Sequence, residues 1–574
     1  MFLINRLNCH VVALLVLVLL PVSAFSSPLL IQTLSTLRDA KMIGLDGVQL
    51  LSGRLLADFY ERRGNQLVWT DPKRINALLE LAEDSRAEGF VPEDFHAETL
   101  RLLAAPQVLT TLSESDRIAA DLKISDALLR YVHHTRFGKL DPITVDPKYH
   151  DRPPIPEAKL LDDMMGALDA DDVKAFLNSR IERPFWYLAL RQALSRYSST
   201  AHLEGLSPLP GGAALAQGNR HPHVALLRER LRALGEYTPS VIKDANLFDA
   251  QLHADVMRFQ QRFGLSPDGV VGAATLAALN QSYDPKKVEQ IRINLERMRW
   301  FYADLPPDYV FVDVADYRVH VVRDGAISWT TRVIVGEKDS QTPMFRDTMD
   351  HLVLNPTWIV PISIQKTMGQ VSAHYAVVDR QTGHKFQGGD ASNYKRYQIV
   401  QEPGPKNALG RVKFMFPNRH SVYLHDTPNK GLFARSSRAL SHGCVRVQDP
   451  VKLAEILLDG SGWDRTRIDQ VIEEGRTRYV NLAQGLPVLI YYLTAVADQQ
   501  GKVNFRQDFY DRDPRLIEMF AAPVLHARIA FPETPEPTVL ESEAPTAPAE
   551  PESEIPNDSA PTNQDRVRLT ETVG

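Results

Sequence analysis

The sequence predicts a multidomain α+β protein: a helical scaffold and a small three-helix module, followed by a mostly β domain with a lid insertion. Three observations support this prediction. The chain has 574 residues, which is too long for a single hydrophobic core. Apolar residues recur at helical spacing from about Leu29 to Asn280, and after Pro306 the period changes to the alternation of strands. The contents of 44% hydrophobic and 24% charged residues are typical of a folded soluble protein.

The N-terminal segment has the features of a secretory signal. Arg6 supplies a positive charge, Val11 to Leu20 is an unbroken apolar run, and Val22-Ser23-Ala24 supplies small residues where cleavage occurs. We therefore expect a signal peptide over residues 1–24 and a mature protein outside the cytoplasm. A retained membrane anchor is the alternative, since the segment with its flanks approaches spanning length.

Residues 29–200 are expected to form a helical scaffold domain. Amphipathic blocks such as Arg74 to Ala82 and Ala119 to Phe137 follow one another along this segment. The adjacent pair His133-His134 suggests a metal site, but neighbouring residues of a helix point to different sides, so a solvated pair is the favoured interpretation. Several proline and glycine residues then mark residues 201–220 as a linker.

Residues 221–283 are expected to form a small three-helix module. Val224, Leu227 and Leu231 share one helix face, and a second helical block with the pair Phe259-Gln260 follows. The run Asp268-Gly269-Val270-Val271-Gly272 then turns the chain toward a last short helix that begins near Thr275-Leu276. In this order, these residues resemble the peptidoglycan-binding domain 1 family, which implies a module that binds peptidoglycan or positions a neighbouring domain. A purely structural role, as turn glycines and a tiny core, is the alternative.

Residues 290–500 are expected to form the mostly β domain. Alternation predicts strands over Tyr309 to Val314, Tyr317 to Val322 and Ala326 to Val335, with Asp324-Gly325 as a hairpin turn. Later strands are predicted at Val412 to Phe416, Ser421 to His425, Cys444 to Val447 and Val488 to Leu493. From about residue 362 to residue 410 the pattern lapses into a polar, glycine-containing stretch, which we expect to be a lid over the sheet. Residues 531–574 include eight prolines and are expected to be a disordered tail.

A single cysteine stands out as the candidate nucleophile. The sequence has two cysteines, and Cys9 lies in the expected signal. Exported proteins usually keep cysteines in disulfide-bonded pairs, so the thiol of Cys444 is either a buried apolar group or a reactive one. Its surroundings favour reactivity. Cys444 lies in the segment Ser441-His442-Gly443-Cys444-Val445-Arg446-Val447, a glycine-containing turn that enters a strand, and His425 precedes it by 19 residues (444 − 425).

Strand alternation brings candidate partners to this thiol. It places Tyr423 and His425 on one face of their strand, and Cys444 and Arg446 together on the next. If the two strands are neighbours, His425 faces Cys444 in one groove and acts as its base. The missing side chain of Gly443 lets backbone N–H groups approach a tetrahedral oxyanion, and the Arg446 guanidinium suits a substrate carboxylate. A solvated position for Arg446 and simple packing of Tyr423 are the alternatives.

Other chemistries fit the pattern less well. A zinc site would need His425, His442 and Cys444 to converge, which alternation opposes, so we expect no metal. Ser363 begins a Ser-x-x-Lys segment like that of serine acyl enzymes, but no Lys-Thr-Gly or Lys-Ser-Gly triplet follows. The formal charge of −6 gives no support to nucleic-acid binding.

The segment around the cysteine also resembles a known family. His425, its interval to the cysteine and the run Ser441 to Arg446 resemble the catalytic signature of the L,D-transpeptidases, which have the YkuD fold. The segment Asn355-Pro356-Thr357-Trp358-Ile359-Val360-Pro361 resembles the one that enters the lid in large members, and Trp358 is a candidate substrate contact there. Many members carry Asn two places after the cysteine, and Arg446 at this position is similar to the large multidomain subgroup. The resemblance covers about Leu29 to Asp513 and leaves out the tail.

The resemblance implies a two-step acyl transfer without a metal or organic cofactor. Cys444 would attack the carbonyl of residue three in a donor tetrapeptide stem of peptidoglycan and expel the terminal D-Ala. The acyl group would pass to the side-chain amine of a neighbouring stem, which gives a 3→3 cross-link. Ser441, His442 and Gly443 would form the oxyanion turn.

The resemblance further implies a periplasmic enzyme of cell-wall biogenesis and cell shape. Carbapenems would acylate its thiol, and cell-wall synthases and carboxypeptidases would be its partners. A hydrolase on the same site, acting as an L,D-carboxypeptidase or endopeptidase, is one alternative. A non-catalytic wall-binding scaffold is the other.

Overall fold

The computed structural model describes residues 27–39, 44–45, 48–105, 107–148, 150–181, 183–198, 208–281, 285–498, 501–524 and 527–532. The expected signal peptide lies outside these residues, as do part of the expected linker and the expected tail from residue 533 onward. Residues up to Ala530 belong to one unit, and of the second unit the structure describes Phe531 and Pro532. Within the described ranges, no helix has the length and apolar character needed to span a membrane.

The N-terminal part is a helical domain, as its amphipathic pattern predicts. Its helices are α1 (Pro28–Asp39), α2 (Gly53–Arg62), α3 (Pro72–Asp84), α4 (Ala97–Leu103), α5 (Val108–Thr111), α6 (Glu114–Phe137), α7 (Pro142–Val145), α8 (Glu157–Asp169), α9 (Val173–Ser179) and α10 (Phe185–Ser198). Its short strands are β1 (Gly44–Leu45), β2 (Val48–Gln49), β3 (His150–Asp151) and β4 (Ile155–Pro156). Side chains of Asp71, Ser113 and Asp172 cap α3, α6 and α9 by accepting backbone N–H groups of the first turn.

The prediction of a solvated His133-His134 pair is wrong. Both side chains lie in α6 and are buried, at 2% and 0% exposed. Burial lowers the pKa of both imidazoles, to about 3 for His133, so both are neutral near pH 7. Helix α6 contacts α2, α3, α4, α8 and α14 (Pro285–Tyr302), which leaves little of it facing solvent. The pattern of one helix does not reveal that other helices surround it.

The three-helix module folds as predicted. It consists of α11 (Pro222–Ala233), α12 (Ala250–Arg262) and α13 (Ala273–Gln281) around an apolar core. Its motif residues hold the turn between α12 and α13 together. The Gln260 amide donates to Asp268 Oδ1 at 2.7 Å and to the Val270 carbonyl oxygen at 2.9 Å, and it accepts the Gly269 N–H at 2.8 Å. These motif residues therefore have the structural role that the sequence left open.

Helix α14 joins the scaffold to the β domain through buried polar side chains. Arg297 pairs with Asp513 of α18 (Asp513–Ala521) at 2.6 Å. Asn294 Nδ2 donates to Thr494 Oγ1 at 2.8 Å, and Arg299 donates to Tyr187 Oη of α10 at 2.8 Å. Because each charged group has a partner, α14 fixes the position of the scaffold against the β domain.

The β domain is built on one large sheet. Its strands are β5 (Tyr309–Asp313), β6 (Arg318–Arg323), β7 (Ala326–Gly336), β8 (Met344–Leu354), β13 (Val412–Met415), β14 (Leu424–His425), β15 (Ala439–Ser441), β16 (Val445–Val447) and β17 (Arg478–Tyr491). The order is β13-β14-β16-β7-β6-β5-β17-β8, followed by β3 of the scaffold, and β15 pairs with β7. Strand β8 pairs with both β17 and β13, so the sheet closes on itself. Helices α16 (Pro450–Leu457) and α17 (Arg465–Glu474) contribute to the enclosed core.

The early strands agree with the prediction to within one residue. Asp324 and Gly325 have φ values of 49° and 73°, as a tight hairpin turn requires. Strand β17 begins at Arg478, well before the predicted start at Val488, because its first half is mostly exposed and its register shifts between Asn481 and Leu486. The β domain also continues past residue 500, with the hairpin β18 (Ala495–Ala497) and β19 (Val503–Phe505), then α18 and β20 (Ile529–Ala530).

The scaffold covers the outer face of this sheet. Every residue of β5 is buried, because alternate residues face the core and the scaffold. On the scaffold side, the ring of Trp186 lies 4.7 Å from that of Phe311. The sheet therefore has two buried faces near β5, so the groove predicted around Cys444 must lie on another part of the sheet.

The expected lid is a folded subdomain. It comprises β9 (Trp358–Ile359), α15 (Ile362–Met368), β10 (Gln370–Asp379), β11 (Lys385–Asp390) and β12 (Tyr397–Gln401), with the strand order β11-β10-β12-β9. It has its own small core, formed by Val360, Val371, Val377, Ala391 and Ile399. The lid begins at Trp358, a little before the predicted residue 362. Exposed residues follow no regular alternation along β10 and β11, which explains why their sequence reads as an irregular polar stretch.

Candidate active site

Three neighbouring strands carry the candidate residues on one face of the central sheet. Strand β14 pairs in parallel with β16 and antiparallel with β13. The alternate residues of these strands are fully buried in the core on the other side: Phe414, Leu424 and Val445. The predicted strands from Ser421 and Cys444 are shorter than expected: His425 and Arg446 lie in β14 and β16, and Tyr423 and Cys444 directly precede these strands on the predicted groove face.

The thiol and the imidazole are diagonal neighbours on this face. His425 is paired with Arg446, two residues past Cys444, and the Val445 N–H donates to the Tyr423 carbonyl oxygen at 3.0 Å. The half-buried Cys444 thiol donates to the Ser421 carbonyl oxygen at 3.8 Å. No hydrogen bond joins Cys444 to His425 in this free form, and such contacts often tighten only when a substrate binds.

The turn before the cysteine has a geometry that only glycine adopts easily. Gly443 has φ of +112°, outside the range of other residues. The Ser441 hydroxyl donates to the Cys444 carbonyl oxygen at 2.6 Å and accepts the Gly443 N–H at 3.2 Å. The Gly443 N–H is therefore already engaged. In the described part of the chain, nothing accepts a hydrogen bond from the Cys444 N–H, which leaves this amide free to bind an oxyanion.

A second set of hydrogen bonds fixes the direction of that free amide. Thr342 Oγ1 donates to the Gly443 carbonyl oxygen at 2.8 Å and accepts the Gly336 N–H at 2.8 Å. Tyr510 Oη donates to the Gly336 carbonyl oxygen at 2.6 Å and accepts the Thr342 N–H at 3.1 Å. Because a peptide unit is planar, fixing the Gly443 carbonyl also fixes the Cys444 N–H. No sequence signal pointed to Thr342 or Tyr510.

A backbone carbonyl orients His425. Its Nδ1 lies 2.6 Å from the Asp426 carbonyl oxygen, so Nδ1 carries the proton and Nε2 is left as the basic nitrogen. The Asp426 carboxylate holds that residue in place. It accepts the N–H groups of Arg411 at 2.8 Å and Thr427 at 2.7 Å, and it binds Lys430 Nζ at 2.6 Å.

Burial sets the protonation states of the pair. Burial first, and then the Arg446 charge, lower the pKa of His425 to about 4, so the imidazole is neutral near pH 7. Burial raises the pKa of the Cys444 thiol, although the Tyr423 N–H and the charges of Lys413 and Arg446 act in the opposite direction. The resting pair is therefore a thiol and a neutral base rather than a thiolate and an imidazolium.

Sequence reasoning missed a second cation on this face. Lys413 of β13 is paired with His425, and its Nζ lies 3.7 Å from the centroid of the Tyr423 ring. Burial lowers the pKa of Lys413 and that of Arg446. The alternation of Val412, Lys413 and Phe414 was visible in the sequence, but the pairing of β13 with β14 was not.

The remaining candidates are Trp358, His442 and Ser363. Trp358 is half-buried in β9, where its ring lies 6.4 Å from that of Tyr375 and packs against the lid core. A substrate contact for Trp358 stays a prediction. The His442 side chain is exposed. Ser363 is exposed on α15 of the lid. No three His, Cys, Asp or Glu side chains of the described chain converge as a metal site.

Three family models match separate parts of the chain. One described as "Scaffold domain" matches residues 54–194. One described as "Putative peptidoglycan binding domain" matches residues 220–279. The YkuD model, described as "L,D-transpeptidase catalytic domain", matches residues 307–472, which include His425 and Cys444. The three matches follow the order of the three parts of the fold.

Individual proteins agree with the family models. A curated protein of Haemophilus influenzae named "Putative L,D-transpeptidase" is 33% identical over 249 residues, which cover 40% of this chain and 50% of that protein. The chain thus matches half the length of this relative.

Solved structures of the same class are more distant. An L,D-transpeptidase of Xylanimonas cellulosilytica is 18% identical, covering 49% of this chain and 99% of that chain, with a TM-score of 0.17. The E. faecium L,D-transpeptidase catalytic domain acylated by ertapenem is 12% identical, covering 33% and 98%, with a TM-score of 0.17. TM-scores this low do not support a shared global arrangement, so the assignment depends on the sequence matches. The chain therefore carries an L,D-transpeptidase catalytic domain of the YkuD family, preceded by a scaffold domain and a peptidoglycan-binding domain 1 module.

Proposed function

We propose that this protein is a cysteine acyltransferase that forms 3→3 cross-links between peptidoglycan stems. The observation that carries the proposal is the Cys444 turn: a half-buried thiol beside a neutral imidazole and a free, fixed backbone N–H. This arrangement supplies a nucleophile, a base and an oxyanion donor for acyl transfer. The match to the L,D-transpeptidase catalytic domain supports peptide stems of peptidoglycan as the substrate.

In the first half-reaction, Cys444 becomes acylated. The thiol proton moves to His425 Nε2 as Sγ bonds to the carbonyl carbon of stem residue three. The Cys444 N–H stabilises the oxyanion of the tetrahedral intermediate. The bond from that carbon to the D-Ala nitrogen then breaks, and His425 returns the proton to the leaving amine. The products are a thioester and free D-Ala.

In the second half-reaction, the acyl group leaves the enzyme. The side-chain amine of an acceptor stem attacks the thioester and loses a proton to His425. The carbon–sulfur bond breaks, and Cys444 regains its proton. Arg446 lies next to this path and binds a carboxylate of the stem, for which a guanidinium has the matching geometry.

The other parts of the chain support a function at the wall. The peptidoglycan-binding module would hold the catalytic domain against the polymer, and the signal-like segment at residues 1–24 fits export to the periplasm. Synthases and carboxypeptidases that make tetrapeptide stems would supply the donor. The thiol would also be a target of carbapenems, since a related domain is known in an ertapenem-acylated form.

The test is incubation of purified tetrapeptide muropeptides with the wild-type protein and with Cys444→Ala, followed by mass analysis. The wild type is expected to release D-Ala and to form 3→3 dimers. The variant should form none and should keep its fold by circular dichroism. Dimer formation by Cys444→Ala at the wild-type rate would refute the proposal. Free tripeptide stems in place of dimers would show that water, and not an amine, accepts the acyl group, as in a hydrolase.

A further inference from the structure

Two cations flank the catalytic histidine in one cross-strand row. Lys413 of β13 is paired with His425 of β14, and His425 is paired with Arg446 of β16. Adjacent strands lie about 4.8 Å apart, so the Cα atoms of Lys413 and Arg446 are roughly 10 Å apart on either side of His425. All three side chains leave the same face of the sheet, because the intervening residues face the core.

Neither cation has a carboxylate partner in the described part of the chain. Both side chains are half-buried. The contact made by the Lys413 ammonium is with the Tyr423 ring, at 3.7 Å from Nζ to the centroid. A cation–π contact of this kind replaces only part of the lost hydration of an ammonium group.

Several other buried cations of this protein have carboxylate partners. Lys139 Nζ binds Asp94 at 2.6 Å, Arg297 binds Asp513 at 2.6 Å, and Arg299 binds Glu296 at 3.1 Å. Partly buried cations without a counter-charge are destabilising unless an anion reaches them from outside. Because Lys413 and Arg446 lie beside the reacting thiol, we expect this anion to belong to the substrate.

We propose that Lys413 is a substrate-binding residue whose ammonium group binds a carboxylate of the donor stem. Arg446 is the second cation of the same site, and the Tyr423 ring contacts the Lys413 ammonium group. This inference rests on the acyl-transfer function proposed above, and it adds a specificity: donors need a free carboxylate that reaches β13. A bound carboxylate also offsets the positive charge around His425, which favours the imidazolium that forms during attack.

The experiment compares three donors and three variants. One tetrapeptide donor has all its carboxylates free, one has an amide at its C-terminus, and one has an amide in place of the side-chain carboxylate of residue three. The two amides distinguish which carboxylate binds. Lys413→Met keeps an apolar side chain next to Tyr423 and removes the positive charge, whereas Lys413→Arg keeps the positive charge. Lys452→Met, on α16 and paired with Glu455, is the matched control.

For the wild type, one of the two amides should raise KM about tenfold, as loss of a charge-assisted hydrogen bond predicts. Lys413→Met should show the same raised KM with the free-acid donor, no further effect of that amide, and kcat within about twofold of the wild type. Lys413→Arg and Lys452→Met should keep the preference for the free acid.

Three results would overturn the inference. They are an unchanged donor preference in Lys413→Met, a wild type that ignores both amides, and a loss of kcat with unchanged KM. If the wild type gives no product with any donor, the acyl-transfer function has failed instead. Donor binding is then measured by calorimetry on Cys444→Ser. The same measurement on the double variants that add Lys413→Met or Lys413→Gln determines the carboxylate preference without turnover. Equal affinity for all donors in Cys444→Ser would again reject the carboxylate site.

Discussion

At the residue scale, the chemistry depends on how burial shifts two pKa values in opposite directions. Burial lowers the pKa of His425 to about 4 and raises that of the Cys444 thiol. Both groups therefore rest in their neutral forms near pH 7, which are the forms that a general-base attack requires. A thiolate is formed as the proton moves to His425, so deprotonation of the thiol and its attack on the carbonyl occur together.

The lowered pKa of His425 predicts a stability effect in acid. An unfolded histidine has a pKa near 6.5, so below that pH the unfolded state binds a proton that the folded state rejects. The contribution of the neutral His425 to the free energy of unfolding is complete above pH 6.5 and is lost as the pH falls toward 4. For His425 it amounts to about 3 kcal/mol.

We expect His425→Gln to remove this dependence. The free energy of unfolding of the variant, relative to the wild type, should rise by about 3 kcal/mol between pH 6.5 and pH 4. Denaturant titrations across this range measure it, and contributions of the other buried histidines cancel in the difference. Exposed His384→Gln serves as the control for the substitution itself. A constant difference for His425→Gln would contradict the prediction.

At the element scale, the lid connects to the sheet beside the cross-strand row of Lys413, His425 and Arg446. It is inserted between β8 and β13, and it returns to the sheet at Val412, one residue before Lys413. The two ends of the insertion meet, because Asn407 Nδ2 donates to the Pro356 carbonyl oxygen at 3.0 Å. The lid core is separate from the core of the sheet. Removal of the lid should therefore affect the groove more than the fold.

We expect replacement of residues 358–406 by a short Gly-Ser linker to lower the rate of stem transfer by roughly tenfold or more, since the lid rejoins the sheet one residue before Lys413. The melting temperature of the catalytic domain should change by only a few degrees. Muropeptide turnover and calorimetry measure the two effects. Labelling of Cys444 by iodoacetamide is the control for an intact thiol. Equal transfer with and without the lid would argue against a substrate role.

At the scale of the whole molecule, the scaffold completes the β domain. Trp186 of α10 packs on the outer face of the sheet, with its ring centroid 4.7 Å from that of Phe311, and it also lies 6.2 Å from the ring of Tyr302 at the end of α14. Strand β3 of the scaffold also extends the sheet by pairing with β8. The catalytic domain therefore depends on the scaffold for stability.

We expect Trp186→Ala to lower the free energy of unfolding by about 3–5 kcal/mol, because it leaves a cavity between scaffold and sheet. Leu188→Ala, on the same helix but 45% exposed, should change it by no more than about 0.5 kcal/mol. Denaturant unfolding compares the two. A Trp186 variant as stable as the Leu188 variant would show that this interface contributes little.

Residues with a strong local signal were predicted well. The strands between Tyr309 and Val335 follow from alternation, and the three-helix module follows from its spacing and turn glycines. Strands β10 and β11 of the lid were missed because buried and exposed residues do not alternate regularly along them. The start of β17 was missed for the same reason. The burial of His133 was missed because it depends on neighbouring helices.

The sequence by itself predicted the order of the domains, the candidate nucleophile and the candidate base. Cys444 and His425 follow from residue type, a glycine turn and strand alternation, all of which are local. The tertiary structure alone identified Lys413 as a neighbour of His425, the Asp426 carbonyl as its orienting group and Thr342 as the residue that fixes the Cys444 N–H. Those roles depend on which strands pair and in which register. Pairing is settled by contacts between distant parts of the chain, because hydrogen bonding between strands carries no local sequence signal.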